Sequence, residues 1–210
     1  MRAQVKICGV TRLEDALLAA ELGAAFIGLN FHPPSPRALL PEAARRIAEA
    51  VRGRAKVVGV FVNRPAEDLR AIDSEVGLDL LQFHGDEGPA DLEPWGQRAL
   101  KVFRSGEELG SVRPDLYPRA WGFLFDFPHP TLYGGSGSGW RYGALASLAL
   151  DRPFLVAGGL APGNARRAIE ASGAAGLDVC SGVERAPGVK DPELLRRLFE
   201  EICDDVPPPA

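Results

Sequence analysis

Residues 153–184 read PFLVAGGLAPGNARRAIEASGAAGLDVCSGVE. An apolar run from Pro153 reads as a strand ending in Val156-Ala157-Gly158-Gly159-Leu160. Pro162 then opens a helix, because proline is tolerated in a first helical turn, where its missing N–H has no partner to lose. A second strand begins near Gly176 and ends in Asp178-Val179-Cys180-Ser181-Gly182-Val183-Glu184. Strand, glycine turn, helix and strand in that order make a βα unit of a parallel sheet.

The same unit repeats back to the N-terminus. Strands are expected to begin near Gln4, Ala25, Lys56, Leu78, Ala99 and Trp121, as well as at Pro153 and Gly176. Thr11-Arg12-Leu13-Glu14 reads as a capping box, with Leu13, Ala16, Leu17 and Ala20 on one helical face and Gly23 as the stop. Pro41, Pro65 and Pro192 open further helices, the last carrying Leu194, Leu195, Leu198, Phe199 and Ile202 at helical spacing. The fifth unit, Arg104 to Arg119, offers only a short helical segment. Eight such units predict a single-domain α/β protein, a (β/α)8 TIM barrel over residues 1–203, with residues 204–210 as a disordered C-terminal tail.

In such a barrel, side chains alternate between the helix layer and the interior. Val5 and Ile7 should meet the helices, which turns Lys6 and Cys8 inward, with Cys8 at the C-terminal end. By the same alternation Phe123 and Phe125 face the helices and Asp126 points into the mouth. Gln82 and His84 share the face opposite Leu81 and Phe83. Polar residues at the C-terminal ends of barrel strands are how this fold builds active sites.

Two glycine loops follow strands seven and eight, where barrels often bind phosphate. Glycine lets backbone N–H groups approach an anion, and a helix N-terminus adds partial positive charge. A tight turn explains one Gly-Gly; two loops in these two places favour phosphate. Cys8 is either a small buried hydrophobe or, with Lys6 below it favouring the thiolate, a base. Asp126 ends an apolar strand, so it must be hydrogen-bonded or functional. His84 fits a structural histidine as well as a catalytic one. Cys180 is expected to pack beside the eighth loop and Cys203 on the terminal helix. The run from Tyr133 to Trp140, rich in Gly and Ser, reads as a lid over the site. Phe31 to Arg37 reads as a proline-stiffened loop presenting the Arg37 fork to a carboxylate.

Composition excludes several classes of function. The 210 residues are 46% hydrophobic and 25% charged, with a net charge of -4, so no basic footprint points to nucleic acid. No apolar run has the length of a membrane span, and the N-terminus lacks the shape of a signal peptide. Three cysteines without CxxC spacing indicate neither a disulfide framework nor a metal site, and they suit a reducing cytoplasm. The oligomeric state is not legible.

Taken together, Lys6-Ile7-Cys8-Gly9, Ser35-Pro36-Arg37, Gln82-Phe83-His84-Gly85, Phe125-Asp126, Gly158-Gly159-Leu160 with Pro162 and Asn164, and Asp178 with Ser181-Gly182-Val183-Glu184 resemble phosphoribosylanthranilate isomerase over almost the whole chain. The resemblance implies an Amadori rearrangement of N-(5′-phosphoribosyl)anthranilate in tryptophan biosynthesis, without cofactor or metal. It implies Asp126 as general acid and Cys8 as general base. Arg37, His84 and Asp178 would contact substrate, and Gly158, Gly159, Ser181 and Gly182 its phosphate. Two departures stand out: Arg141 replaces an acid in the lid, and Cys180 stands where a small polar residue is usual. The alternatives are another sugar-phosphate isomerase or epimerase barrel, or a non-catalytic sensor of a phosphorylated ligand. Cys8 ending the first strand argues against the histidine-pathway Amadori isomerase, which relies on an aspartate pair. The scarcity of ligand histidines argues against a metal-dependent epimerase. A sensor would need neither Cys8 nor Asp126.

Overall fold

The computed structural model describes residues 3–104, 109–127, 142–146, 148 and 150–202. Eight parallel strands close into a barrel in sequence order. They are β1 (Gln4–Ile7), β2 (Phe26–Asn30), β3 (Lys56–Phe61), β4 (Leu80–Phe83), β5 (Ala99–Arg104), β6 (Gly122–Asp126), β7 (Phe154–Ala157) and β8 (Gly176–Val179). Pairing of β1 with β8 sets Lys6 beside Asp178 and Ile7 beside Val179, which closes the cylinder. The helices are α1 (Leu13–Glu21), α2 (Pro41–Val51), α3 (Ala66–Val76), the short α4 (Pro89–Leu92) and α5 (Tyr142–Leu145), α6 (Ala165–Ser172) and α7 (Pro192–Ile202).

The alternation expected from the sequence holds on both faces. Val5, Ile7, Leu81, Phe83, Phe123 and Phe125 join helix residues such as Ala16, Ile47, Leu69 and Leu198 in the outer core. Phe26, Val58, Leu80, Leu100, Val102, Leu124 and Leu155 fill the barrel. Between β5 and β6 the described residues form only two 3₁₀ turns, at Leu109–Ser111 and Pro114–Leu116.

Three local expectations need correction. No capping box starts α1: Arg12 is the N-cap without a side-chain cap bond, and the Thr11 hydroxyl donates instead to the Gly188 carbonyl at 2.5 Å. A distant loop thus takes the group that a local cap would use. Pro65 serves as the N-cap of α3, one residue before its start. Helix α6 starts at Ala165, not Pro162, because the Asn164 side chain holds the turn before it, accepting from Ala161 N and donating to Gly159 O.

After β8 the chain makes a 3₁₀ turn at Ser181–Val183 and then a small hairpin, β9 (Glu184–Ala186) with β10 (Val189–Lys190). Sequence reading missed this hairpin, although Pro187-Gly188 between its strands is a turn signal. Residues 204–210, Cys203 and the Tyr133–Trp140 stretch, with Arg141, lie outside the described residues.

Candidate active site

The C-terminal strand ends open onto a cavity of about 290 Å³. Cys8, Arg37, His84, Asp126, Gly158, Gly159, Asp178 and Ser181 all line it, as do Asn30 and Ser35. Among the residues expected to act on substrate or to hold its phosphate, Gly182 lies off the wall. A Cβ there would run into the Leu160 carbonyl, so packing of the eighth loop on the seventh accounts for that glycine. A larger cavity of about 390 Å³ lies at the opposite end, between residues such as Arg52, Arg54, Lys56 and Asp79. It holds neither thiol nor histidine, and barrels carry their chemistry at the other face.

One buried cation organises the Cys8 wall. Lys6 is fully buried, and its Nζ donates to Asp178 Oδ1 at 2.9 Å. Room for it comes from Gly28 on β2, where a Cβ would sit 3.0 Å from both Lys6 Nζ and Cys8 Sγ. Burial alone would lower the Lys6 pKa, but Asp178 and Cys8 outweigh it and hold the ammonium charged. Asp178 is pushed up to about 7, chiefly by burial and then by the Cys8 charge, against the pull of Lys6. Cys8 goes the other way. A hydrogen bond from the Cys180 thiol lowers its pKa most, burial opposes, and Lys6 and Lys190 lower it further, so the net is well below an ordinary thiol.

Lys190 was not found from sequence. It is buried, and its Nζ reaches Cys8 O at 2.5 Å, Glu184 Oε1 at 2.9 Å and Cys180 O at 3.2 Å. Its backbone N–H donates to the buried Asp15 of α1 at 2.9 Å. The hairpin thus ties the ends of β1 and β8 together.

Arg37 presents its fork to a carboxylate of this chain, that of Glu184. Its Nε and Nη2 donate to Glu184 Oε1 and Oε2 at 2.9 and 2.6 Å. The loop bearing it is pinned by Asn30 and Ser35: His32 N donates to Asn30 Oδ1 at 2.8 Å and Arg37 N to Ser35 Oγ at 3.1 Å. Gly9 lets the arginine lie across the end of β1, since a Cβ there would strike Arg37 Cδ.

On the far wall Asp126 ends β6, with His84 Nε2 3.1 Å from its Oδ2. The buried Gln82 places Nε2 3.1 Å from His84 Nδ1. With that amide donating, the ring proton sits on Nε2 and points at Asp126. Among the described residues, Gln82 Oε1 is buried without a hydrogen-bond partner. Turning the amide over would let Oε1 accept from Nδ1–H, and Nε2 would then accept a proton from Asp126. His84 is therefore both structural and in the site, through Asp126.

Gly158 and Gly159 have φ of 95° and 62°, left-handed backbone that glycine allows. At Gly158 a Cβ would also strike the Phe127 carbonyl, so the turn after β7 sits directly on the end of β6.

A family model for N-(5'phosphoribosyl)anthranilate (PRA) isomerase matches residues 5–201. The N-(5'-phosphoribosyl)anthranilate isomerase of Bordetella bronchiseptica is 42% identical over 211 residues, covering 96% of each chain. That of Rubrobacter xylanophilus is 42% identical, covering 93% of this chain and 97% of its own. Among solved structures, phosphoribosyl anthranilate isomerase from Thermus thermophilus is 41% identical with a TM-score of 0.79, and that from Thermotoga maritima 35% identical with a TM-score of 0.84; each alignment covers 95% of this chain and 98% of the other. A further phosphoribosyl anthranilate isomerase structure, 32% identical with a TM-score of 0.83 over 95% of this chain and 98% of that one, holds reduced 1-(o-carboxyphenylamino)-1-deoxyribulose 5-phosphate. The chain belongs to the N-(5′-phosphoribosyl)anthranilate isomerase family, isomerases of the aldose–ketose type in tryptophan biosynthesis.

Proposed function

We propose that the cavity at the barrel mouth converts N-(5′-phosphoribosyl)anthranilate to 1-(2-carboxyphenylamino)-1-deoxyribulose 5-phosphate, with Cys8 as general base and Asp126 as general acid. The observation that carries this reading is the pair's placement on facing walls of one cavity, from the ends of β1 and β6, the thiol held toward its thiolate and the carboxyl backed by His84. Asp126 gives a proton to the furanose oxygen as the C1′–O bond breaks. The anilino nitrogen supplies electrons to form an iminium. The Cys8 thiolate takes the proton from C2′, and the electron pair left behind neutralises the iminium as an enolamine. Tautomerisation of that enol gives the ketone. Each proton transfer contributes about 10²–10⁴ in rate. The Gln82–His84 pair supports both charge states of Asp126, because its two hydrogen-bonding arrangements suit the acid and its conjugate base in turn.

Arg37, held by Glu184 along its Nε–Nη2 edge, keeps Nη1 and its planar face for the anthranilate carboxylate and ring. The backbone of Gly158 and Gly159, with Ser181 opposite, takes the phosphate, and Asp178 lies near the ribose hydroxyls. The free thiols Cys8 and Cys180 suit a reducing, cytoplasmic setting.

The test is loss of phosphoribosylanthranilate fluorescence on adding the protein, repeated with inorganic phosphate as competitor. Turnover with weak competition by phosphate is expected, and Gly159→Asp should raise KM strongly by placing a carboxylate against the phosphate. Turnover insensitive to saturating phosphate, with an unchanged KM in Gly159→Asp, would remove the phosphate assignment.

A further inference from the structure

Cys180 takes no proton in the chemistry just described; it acts there only on the Cys8 thiol. It follows β8 as Cys8 follows β1, and the register of these strands, Lys6 beside Asp178 and Ile7 beside Val179, continues to set Cys8 beside Cys180. Cys8 N donates to Val179 O at 2.9 Å, so the ladder is intact up to the pair. Neighbouring strands lie about 4.7–4.9 Å apart, within the roughly 4.4–6.8 Å Cα separation that a disulfide spans. Register partners project to the same face, and both cysteines line the cavity. Both are free thiols, and the Cys180 thiol also lies 4.0 Å from Glu184 Oε1, to which it donates. Lys190 Nζ binds both their carbonyls and holds the strand ends together.

We propose that Cys8 and Cys180 form a modification site, in which a peroxide joins them as an intramolecular disulfide and switches the enzyme off. The Cys8 thiolate attacks one peroxide oxygen. An S–O bond forms, the O–O bond breaks, and hydroxide leaves to collect a proton as water. The Cys180 sulfur then attacks the sulfur of the Cys8 sulfenic acid. The S–S bond forms, the S–O bond breaks, and the hydroxyl departs as water with the Cys180 proton. Two thiols are oxidised and one hydrogen peroxide is reduced to two waters. A nearby resolving cysteine is what keeps such a sulfenic acid from climbing to the irreversible sulfinic state. In the reduced cytoplasm such bonds are transient and regulatory. The loss of activity rests on Cys8 as base, but formation of the bond does not.

The experiment treats the full-length protein with hydrogen peroxide and reads intact mass, disulfide-linked peptides and turnover in parallel. The expected result is a mass loss of two hydrogens, a Cys8–Cys180 peptide pair, turnover falling in proportion to the fraction bonded, and full recovery with dithiothreitol. Cys180→Ser, scaled to its own untreated activity, should instead gain two or three oxygens at Cys8, as sulfinic or sulfonic acid, and fail to recover with dithiothreitol. Oxygen addition at Cys8 of the native protein without the bond, or a bond to Cys203, would overturn the proposal while leaving the base assignment standing. A Cys8–Cys180 bond with turnover intact would overturn the switch and the base together.

Discussion

Burial alone would silence the Cys8 thiol, because a thiolate in a protein wall loses its hydration. The Cys180 hydrogen bond, Lys6 and Lys190 reverse that sign. The base limb of kcat/KM against pH is therefore expected below the ordinary thiol value of roughly 8.5. Cys180→Ala removes the largest contribution and should move the limb toward that value, read from a kcat/KM profile between pH 5 and 10 (roughly the span in which thiols and carboxylates titrate). A limb that stays in place would show that Cys180 does not set the base. Strand alternation alone placed Lys6 under Cys8. Cys180 was legible as a departure but not as a neighbour of Cys8, since nothing local links residues 172 positions apart and a free cysteine more often fills a core.

At the scale of elements, the hairpin Glu184–Lys190 does what no single loop residue does. It carries the carboxylate that aims Arg37 and the ammonium that joins β1 to β8. Arg37→Ala should weaken a product analogue bearing the anthranilate carboxylate by roughly 10–100-fold, the worth of a charge-assisted hydrogen bond. An analogue lacking that carboxylate should bind nearly as before. Glu184→Gln should give a smaller loss with the same selectivity, because it loosens the fork without removing it. Titration of both analogues by calorimetry checks this, and equal losses for the two would mean that Arg37 acts through the fold. The proline-stiffened loop before Arg37 was readable; its anchors at Asn30 and Ser35 were not, because each is a single polar side chain whose partner depends on the folded turn. The hairpin was signalled by Pro187-Gly188, yet its strands are too short for any periodicity to show.

For the whole molecule, the barrel was legible because eight strands repeat one rule: apolar side chains outward to the helices, polar ones at the C-terminal ends. What the rule leaves open is how charge is tolerated inside. Lys6 and Asp178 pair within the barrel, and breaking a buried pair costs about 3–5 kcal/mol. Lys6→Met should be destabilised on that scale in urea unfolding. The folded pKa of Asp178, about 7, lies above the roughly 3.9 of an unfolded aspartate, so folding binds its proton and stability falls as pH rises between them. Without Lys6 the folded value moves higher still and the fall continues, so the deficit should widen from about pH 7 to about pH 9. A deficit that narrows with pH would contradict the pairing. Turnover depends on the acid and base at the mouth. The most direct measurement is kcat of Cys8→Ser and Asp126→Asn by loss of substrate fluorescence, beside the Kd of a product analogue. The expected result is a fall in kcat of about 10²–10⁴ for each with analogue binding nearly unchanged. Either variant keeping most of its kcat would contradict that residue's role in proton transfer.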